Sequence, residues 1–387
     1  MKRNTRLVRD GRGSDYATGM VNVPVYHAST IVFDSVAGLR EAVRHRNERV
    51  LYYGRRGTPT QWALCDALAE LEGGAGCMLY GSGLAAITGA LMAFVEAGDH
   101  ILMTDSVYEP TRTFCDLALR KLGVETTYYD PMIGSGIAEL MRPETRLVFT
   151  ESPGSLTFEI QDLPAIAAAA RERGALVLND NTCASPLNFR PLDHGADVVI
   201  HSLTKYVVGH SDAMLGAAIA NEATLDRLRR GTFLHGHAAA PDDCYLALRG
   251  LRSLGPRMER HAQTALTLAR WLKARPEVAR VLHPALPDCP GHELWRRDFT
   301  GASSLFAVQL KEHPEAAVAA MLDGYEHFGI GFSYGGFESL VLPSNPAGAR
   351  TATKWAAPLI RFHAGLEDPD DLIEDLEKGF ERFAAAR

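Results

Sequence analysis

The feature that most restricts the fold is an alternation between about residues 60 and 220. Short apolar runs follow one another there, each parted from the next by a stretch of helical character. "GCMLYG" leads through Ser82-Gly83 into "LAAITGALMAFVEAG", and "HILMTD" gives way at Asp105-Ser106 to a helical stretch from about Pro110 to Leu122. "VETTYYD", "TRLVFTES" and "ALVLND" come next, the last two separated by the alanine-rich "LPAIAAAARERG", and then "DVVIHSL". Strands alternating with helices build a largely parallel sheet covered on both faces. Beyond about residue 245 the pattern changes. A long helical region runs from Pro241 toward Pro276, with a kink expected at Gly255-Pro256. The strand-like pieces "LFAVQL", "SLVLP" and "LIRFHAG" precede a last helix, "DDLIEDLEKGFERFAAA". The expected fold class is α/β: a large, mostly parallel sheet domain with a smaller C-terminal α+β domain.

Charge and cysteine usage remove several classes of function. The net charge of −7 disfavours a nucleic-acid or anionic-membrane partner, and the cluster Arg227-Leu228-Arg229-Arg230 is too short to reverse that. Six scattered cysteines with no C-x-x-C pair indicate reduced thiols and a cytoplasmic setting. The histidines lack metal-ligand spacing; His235-Gly236-His237 comes nearest, and no metal site is expected. Gly73 to Val95 carries no charge, but six glycines and the Gly81-Ser82-Gly83 break make it strand, loop and buried helix rather than a membrane span. The N-terminus is charged and has no apolar core of the signal-peptide kind.

In a parallel sheet the ligand crevice lies at the carboxyl ends of the strands. The polar residues expected there are Gly81-Ser82-Gly83-Leu84, Tyr108, Asp180-Asn181-Thr182 and Ser202-Leu203-Thr204-Lys205. Each has an ordinary reading. Gly-Ser-Gly can be a tight turn, Asp180 a turn cap, Tyr108 core packing, and Ser202 and Thr204 local backbone partners, while Lys205 can extend to the surface. A dinucleotide site on Gly81-Ser82-Gly83 lacks the third glycine, with Ala at 86, and Asp105 is the only acidic candidate for the ribose position. Taken together the set meets the needs of pyridoxal 5′-phosphate, which requires a phosphate cup, an aromatic ring face, an acid beside the pyridine nitrogen and a Schiff-base lysine. Gly83, Leu84, Ser202 and Thr204 would form the cup, Tyr108 the face, Asp180 the acid and Lys205 the amine.

The chain also resembles the pyridoxal-phosphate enzymes of cysteine and methionine metabolism, and within them the bacterial cystathionine β-lyases. The resemblance spans nearly the whole chain. It is carried by "YYGRRGTPT" (52–60), "ELEGGAGCMLYGSGLAA" (70–86), "YEPTRTFCD" (108–116), "FTESPGSLTFEIQDLPAI" (149–166), "NDNTCASP" (179–186), "SLTKYVVGHSDAMLG" (202–216), "RVLHPALP" (280–287), "FSYGGFESL" (332–340) and "LIRFHAGLEDPDDLI" (359–373). It implies a fold type I, transferase-like architecture with an N-terminal arm (1–58) contacting a neighbouring subunit, a cofactor domain (59–245) and a C-terminal domain (246–387). It implies a homotetramer, a dimer of dimers with shared active sites, in which Tyr53 and Arg55 reach the phosphate of the adjacent subunit. Arg361 is implied to clamp the substrate α-carboxylate, with Ser333, Tyr334 and Tyr53 also on the substrate side. Catalysis falls to Lys205 and Tyr108.

The implied reaction is β-elimination of L-cystathionine, an amino-acid thioether, to homocysteine, pyruvate and ammonia, a carbon–sulfur lyase step of methionine biosynthesis. A γ-lyase, γ-synthase or cysteine desulfhydrase on the same scaffold is the alternative, and a non-catalytic cofactor-binding regulator is a third. "YEPTR" has the β-lyase form. Tyr334 stands where β-lyases of this kind carry Trp and γ-type enzymes Leu, and Phe233 stands where a tyrosine hydroxyl is expected.

Overall fold

The computed structural model describes residues 1–387 except 14, 15, 17, 18 and 356, four of which lie in the 1–58 arm. Its larger sheet has seven strands: β1 (Gly76–Tyr80), β2 (His100–Thr104), β3 (Glu125–Tyr129), β4 (Thr145–Glu151), β5 (Leu176–Asp180), β6 (Val198–Ser202) and β7 (Gly216–Ala220). Their spatial order is β1-β7-β6-β5-β4-β2-β3. β2 is parallel to β3 and β4, β4 to β5 and β5 to β6, whereas β7 runs antiparallel to β6 and β1. Six carboxyl ends therefore point to one edge of the sheet.

The continuous apolar runs follow from two-sided burial. On β4, Leu147 and Phe149 face a core shared with Ile87, Ala90 and Leu91 of the helix Gly83–Phe94. Val148 between them faces the opposite core, with Ile166 and Ala170 of the helix Leu163–Glu172. This is the two-residue alternation of a strand between two helical layers. The uncharged stretch 73–95 is a short loop, β1 and that buried helix, as expected. Among the described residues no helix is long and apolar enough to cross a membrane.

The smaller sheet comprises β8 (Val278–Leu282), β9 (Leu305–Leu310), β10 (Phe328–Ile330), β11 (Ser339–Ser344) and β12 (Leu359–His363), in the order β10-β11-β12-β9-β8. Among the described residues of this sheet, only β10 and β11 pair in parallel. The closing helix Pro369–Ala385 buries Leu372, Leu376, Phe380 and Phe383 against it.

Two helices carry local detail of their own. The helix Pro241–Lys273 is one unbroken element with Pro256 inside it. A proline inside a helix costs about 3 kcal/mol, and apolar packing on both sides of it outweighs that: Leu251 and Leu254 sit in the core around Leu64 and Leu203, and Leu268 and Leu272 in the core around Phe306 and Phe362. Residues 245 and 246 both lie within this helix. The stretch after Tyr108 is a helix, Glu109–Phe114, that widens into a π turn at Cys115–Leu119 and tightens at Arg120–Leu122. All six cysteines are free thiols.

Candidate active site

Ser82 follows β1 and caps the helix Gly83–Phe94 by accepting from the Ala85 N–H at 3.1 Å. The first N–H groups of a helix have no intrahelical partner, and the helix dipole makes that end attractive to anions. A Cβ on Gly83 would stand 2.4 Å from Ser202 Oγ. Glycine is what allows this helix end to touch the end of β6. Ser202 N–H donates to Thr182 Oγ1 at 2.8 Å. The hydroxyl of Thr204 accepts from Leu215 N–H at 3.0 Å and donates to the Leu215 carbonyl at 3.2 Å, so it closes the turn between β6 and β7. Leu84 is the second residue of the helix and half-exposed.

At the end of β5, Asp180 is buried and accepts from Thr182 N–H at 2.9 Å. Burial pushes its carboxyl above the usual range, while the Thr182 hydroxyl and N–H, His201 and Lys205 pull it back. On the neighbouring strand, Glu151 stands in register with Asp180. It is buried, and its Oε2 accepts from Tyr108 N–H at 2.9 Å. Burial and then the Asp180 charge push the Glu151 carboxyl well above its ordinary value. Tyr108 is held by its backbone while its side chain stays 45% exposed at the mouth of the site. The strand-end position that marks Asp180 is shared by Glu151 at the end of "TRLVFTE", a residue the sequence analysis does not single out.

Lys205 Nζ donates to Ser333 Oγ at 2.6 Å and lies 5.0 Å from the centre of the Tyr334 ring. Burial first, then the Arg361 charge, lower its pKa to about 8, against the opposing pull of Asp180. Arg361 comes from β12 in the smaller domain. Its Nη2 donates to the Ser333 carbonyl at 2.9 Å, and its Nε is buried without a partner. Burial lowers the Arg361 pKa as well. Tyr334 packs on Tyr206, with ring centres 5.5 Å apart. The structure thus brings Lys205, Asp180, Ser333, Tyr334 and Arg361 together from both domains.

It does not bring Tyr53 and Arg55 to them. Tyr53 is 44% exposed, and Arg55 Nη1 donates to the Phe233 carbonyl at 3.1 Å. The Arg56 guanidinium lies 3.7 Å above the Phe233 ring. Arg55, Arg56, Trp62 and Phe233 line a cavity of about 290 Å³. Among the described residues, none of Lys205, Asp180, Tyr108 or Arg361 lines it.

These residues fit pyridoxal phosphate. The glycine-cleared contact between the helix N-terminus and Ser202 can receive a phosphate. Asp180 is a buried carboxylate short of positive partners, which a protonated pyridine nitrogen would supply. Arg361 retains an unsatisfied buried donor for a carboxylate.

Comparison with known proteins agrees. Residues 4–381 match the family described as Cys/Met metabolism PLP-dependent enzyme. The chain is 47% identical to the cystathionine beta-lyase MetC of Escherichia coli over 99% of both chains. It is 50% identical to a putative cystathionine beta-lyase of Rhizobium johnstonii, over 99% of this chain and 96% of the other. Cystathionine gamma synthase from Xanthomonas oryzae pv. oryzae, solved in complex with cystathionine, superposes with a TM-score of 0.92 over 100% of both chains at 34% identity. The chain belongs to the pyridoxal-phosphate-dependent enzymes of cysteine and methionine metabolism and has their fold type I architecture.

Proposed function

We propose that this enzyme cleaves L-cystathionine by β-elimination to homocysteine, pyruvate and ammonia. The observation that carries the reading is the Lys205 amine, which burial brings to about 8 beside an arginine with a spare buried donor. The names of the relatives at 47% and 50% identity support this substrate. Bound pyridoxal phosphate supplies the electron sink for the pair left at Cα. Arg361 binds the α-carboxylate and fixes which bonds of the substrate face Lys205. Nζ, neutral in an appreciable fraction of molecules near pH 8, removes the Cα proton and returns one to the sulfur as the Cβ–S bond breaks. Ser333 Oγ holds Nζ between these transfers. Water then converts the three-carbon remainder to pyruvate and ammonia. Asp180 would hold the pyridine nitrogen through its negative charge, and Tyr108 would cover the ring face.

Tyr53 and Arg55, exposed and remote from Lys205 in their own chain, would serve the phosphate of a second subunit in a tetramer built of two such dimers. In this reading 1–58 is the exchanging arm, 59–245 the cofactor domain and 246–387 the C-terminal domain, and the enzyme works in the cytoplasm. The test is to incubate cofactor-saturated protein with L-cystathionine and identify the products. Pyruvate with homocysteine supports β-elimination. 2-Oxobutyrate with cysteine overturns it in favour of γ-elimination.

A further inference from the structure

Residues 333–336 form the loop that meets the catalytic lysine, and both of its unusual backbone angles invite explanation. Ser333 has φ +82° and Gly335 φ +87°. A Cβ on Gly335 would stand 2.8 Å from the Lys205 carbonyl carbon and the Tyr206 nitrogen, so the loop lies directly on the Lys205–Tyr206 peptide. Two residues of β12 grip it. Arg361 and His363 are two apart on a strand and share one face. Arg361 Nη2 donates to Ser333 O at 2.9 Å, and His363 Nε2 accepts from Gly335 N–H at 3.2 Å.

The other side of the imidazole is equally occupied. His363 is fully buried, and its Nδ1 lies 2.6 Å from Ser304 Oγ, which in turn lies 2.5 Å from the Tyr206 hydroxyl. Since Gly335 N–H can only donate, Nε2 carries the lone pair and Nδ1 the proton. Gly336 O, 3.3 Å from Nε2, is then a plain contact. Burial and the neighbouring His261 push the imidazolium well below its usual range. The titratable groups around it are His261, Arg361, Lys205 and Tyr206, and the first three all disfavour a further positive charge.

We propose that His363 is a positioning residue: through Gly335 it holds the 333–336 loop at the height where Ser333 Oγ meets Lys205 Nζ. A neutral ring does this, and a ring with a proton on Nε2 would set two donors against each other. The inference rests on the proposed β-elimination only for its kinetic readout. It is tested in His363→Leu, with His363→Gln as the variant that retains an acceptor and a donor. In cofactor-free protein, the pH midpoint for covalent modification of Lys205, followed by mass spectrometry of its peptide, moves by about half a pH unit or more in His363→Leu. In loaded enzyme, kcat on L-cystathionine falls about tenfold or more while KM stays within about threefold. His363→Gln recovers most of both. An unmoved midpoint with kcat within about threefold of the parent overturns the proposal. If His363→Leu does not fold, Ser304→Ala, which frees the ring from its other anchor, carries the same midpoint test, and no shift there overturns it. If the parent enzyme releases neither homocysteine nor pyruvate, the reaction assignment fails, and the Lys205 midpoint still decides the role of His363.

Discussion

Two groups of residues expected at one site occupy different surroundings in the chain. Lys205, Asp180 and Ser202 sit at strand ends, buried or half-buried, tied to their neighbours by hydrogen bonds of 2.6–2.9 Å. Tyr53 and Arg55 sit near the end of the N-terminal arm, exposed, with one hydrogen bond from Arg55 to a backbone carbonyl. A sheet edge preorganises groups by the packing of its strands, and a single chain completes it. The N-terminal segment is itself anchored, with Leu7 and Val23 in the core and Thr30 bridged to Tyr53, but the side chains of Tyr53 and Arg55 face outward. The residues gathered at the sheet edge are therefore placed by the fold of one chain, while Tyr53 and Arg55 stay on its surface.

The comparison can be broken at several points. Lys205→Ala has the largest effect: turnover falls by roughly 10²–10⁴-fold or more, and the visible absorption of bound cofactor disappears. Survival of that band would move the cofactor amine elsewhere. Arg361→Ala comes next, with kcat/KM on L-cystathionine down by about 10–150-fold, the loss of a charge-assisted hydrogen bond. Cofactor absorbance should persist in that variant, which separates the carboxylate clamp from the phosphate cup. Arg55→Ala raises the cofactor dissociation constant about tenfold, equivalent to about 1.4 kcal/mol. Mixing it with Lys205→Ala under subunit exchange sharpens the comparison. Shared sites in a symmetric dimer would restore up to about a quarter of the parent activity, whereas sites complete within one chain would restore none. The smallest effect is a titration. In cofactor-free protein Lys205 should react with a midpoint at about pH 8 rather than 10.5, and a midpoint near 10.5 would show that it is not desolvated. Because the folded chain binds this proton less readily than the unfolded one, stability conferred above pH 10.5 is lost as the pH falls toward about 8.

Much of this site was legible because the parallel sheet turns sequence position into spatial position. Once "ALVLND" and "DVVIHSL" were strands, Asp180 and Lys205 had to share an edge. Glu151 escaped notice because a strand-terminal glutamate looks like a solvated cap until its neighbour in register is known to be Asp180. His363 lay inside "LIRFHAG", where it counted as one more strand residue; its partners Ser304 and Gly335 come from other segments, brought together by the pairing of β12 with β9 and β11. The long helix through Pro256 is legible in the sequence, but what sustains it there, packing in two separate cores, is not.

That helix has a consequence for how the molecule can be divided. At 1.5 Å per residue its 33 residues form a rod of about 50 Å. One end is embedded beside Leu203 and Tyr206, next to the lysine, and the other beside Phe306 and Phe362, next to the strand that carries Arg361. A gene cut between codons 245 and 246 would leave Leu248, Leu251 and Leu254 on one fragment, and the core around Leu64 and Leu203 that they cover on the other. Recombination among relatives would favour crossovers in the loops on either side of the rod, and every such crossover would part the amine from the guanidinium.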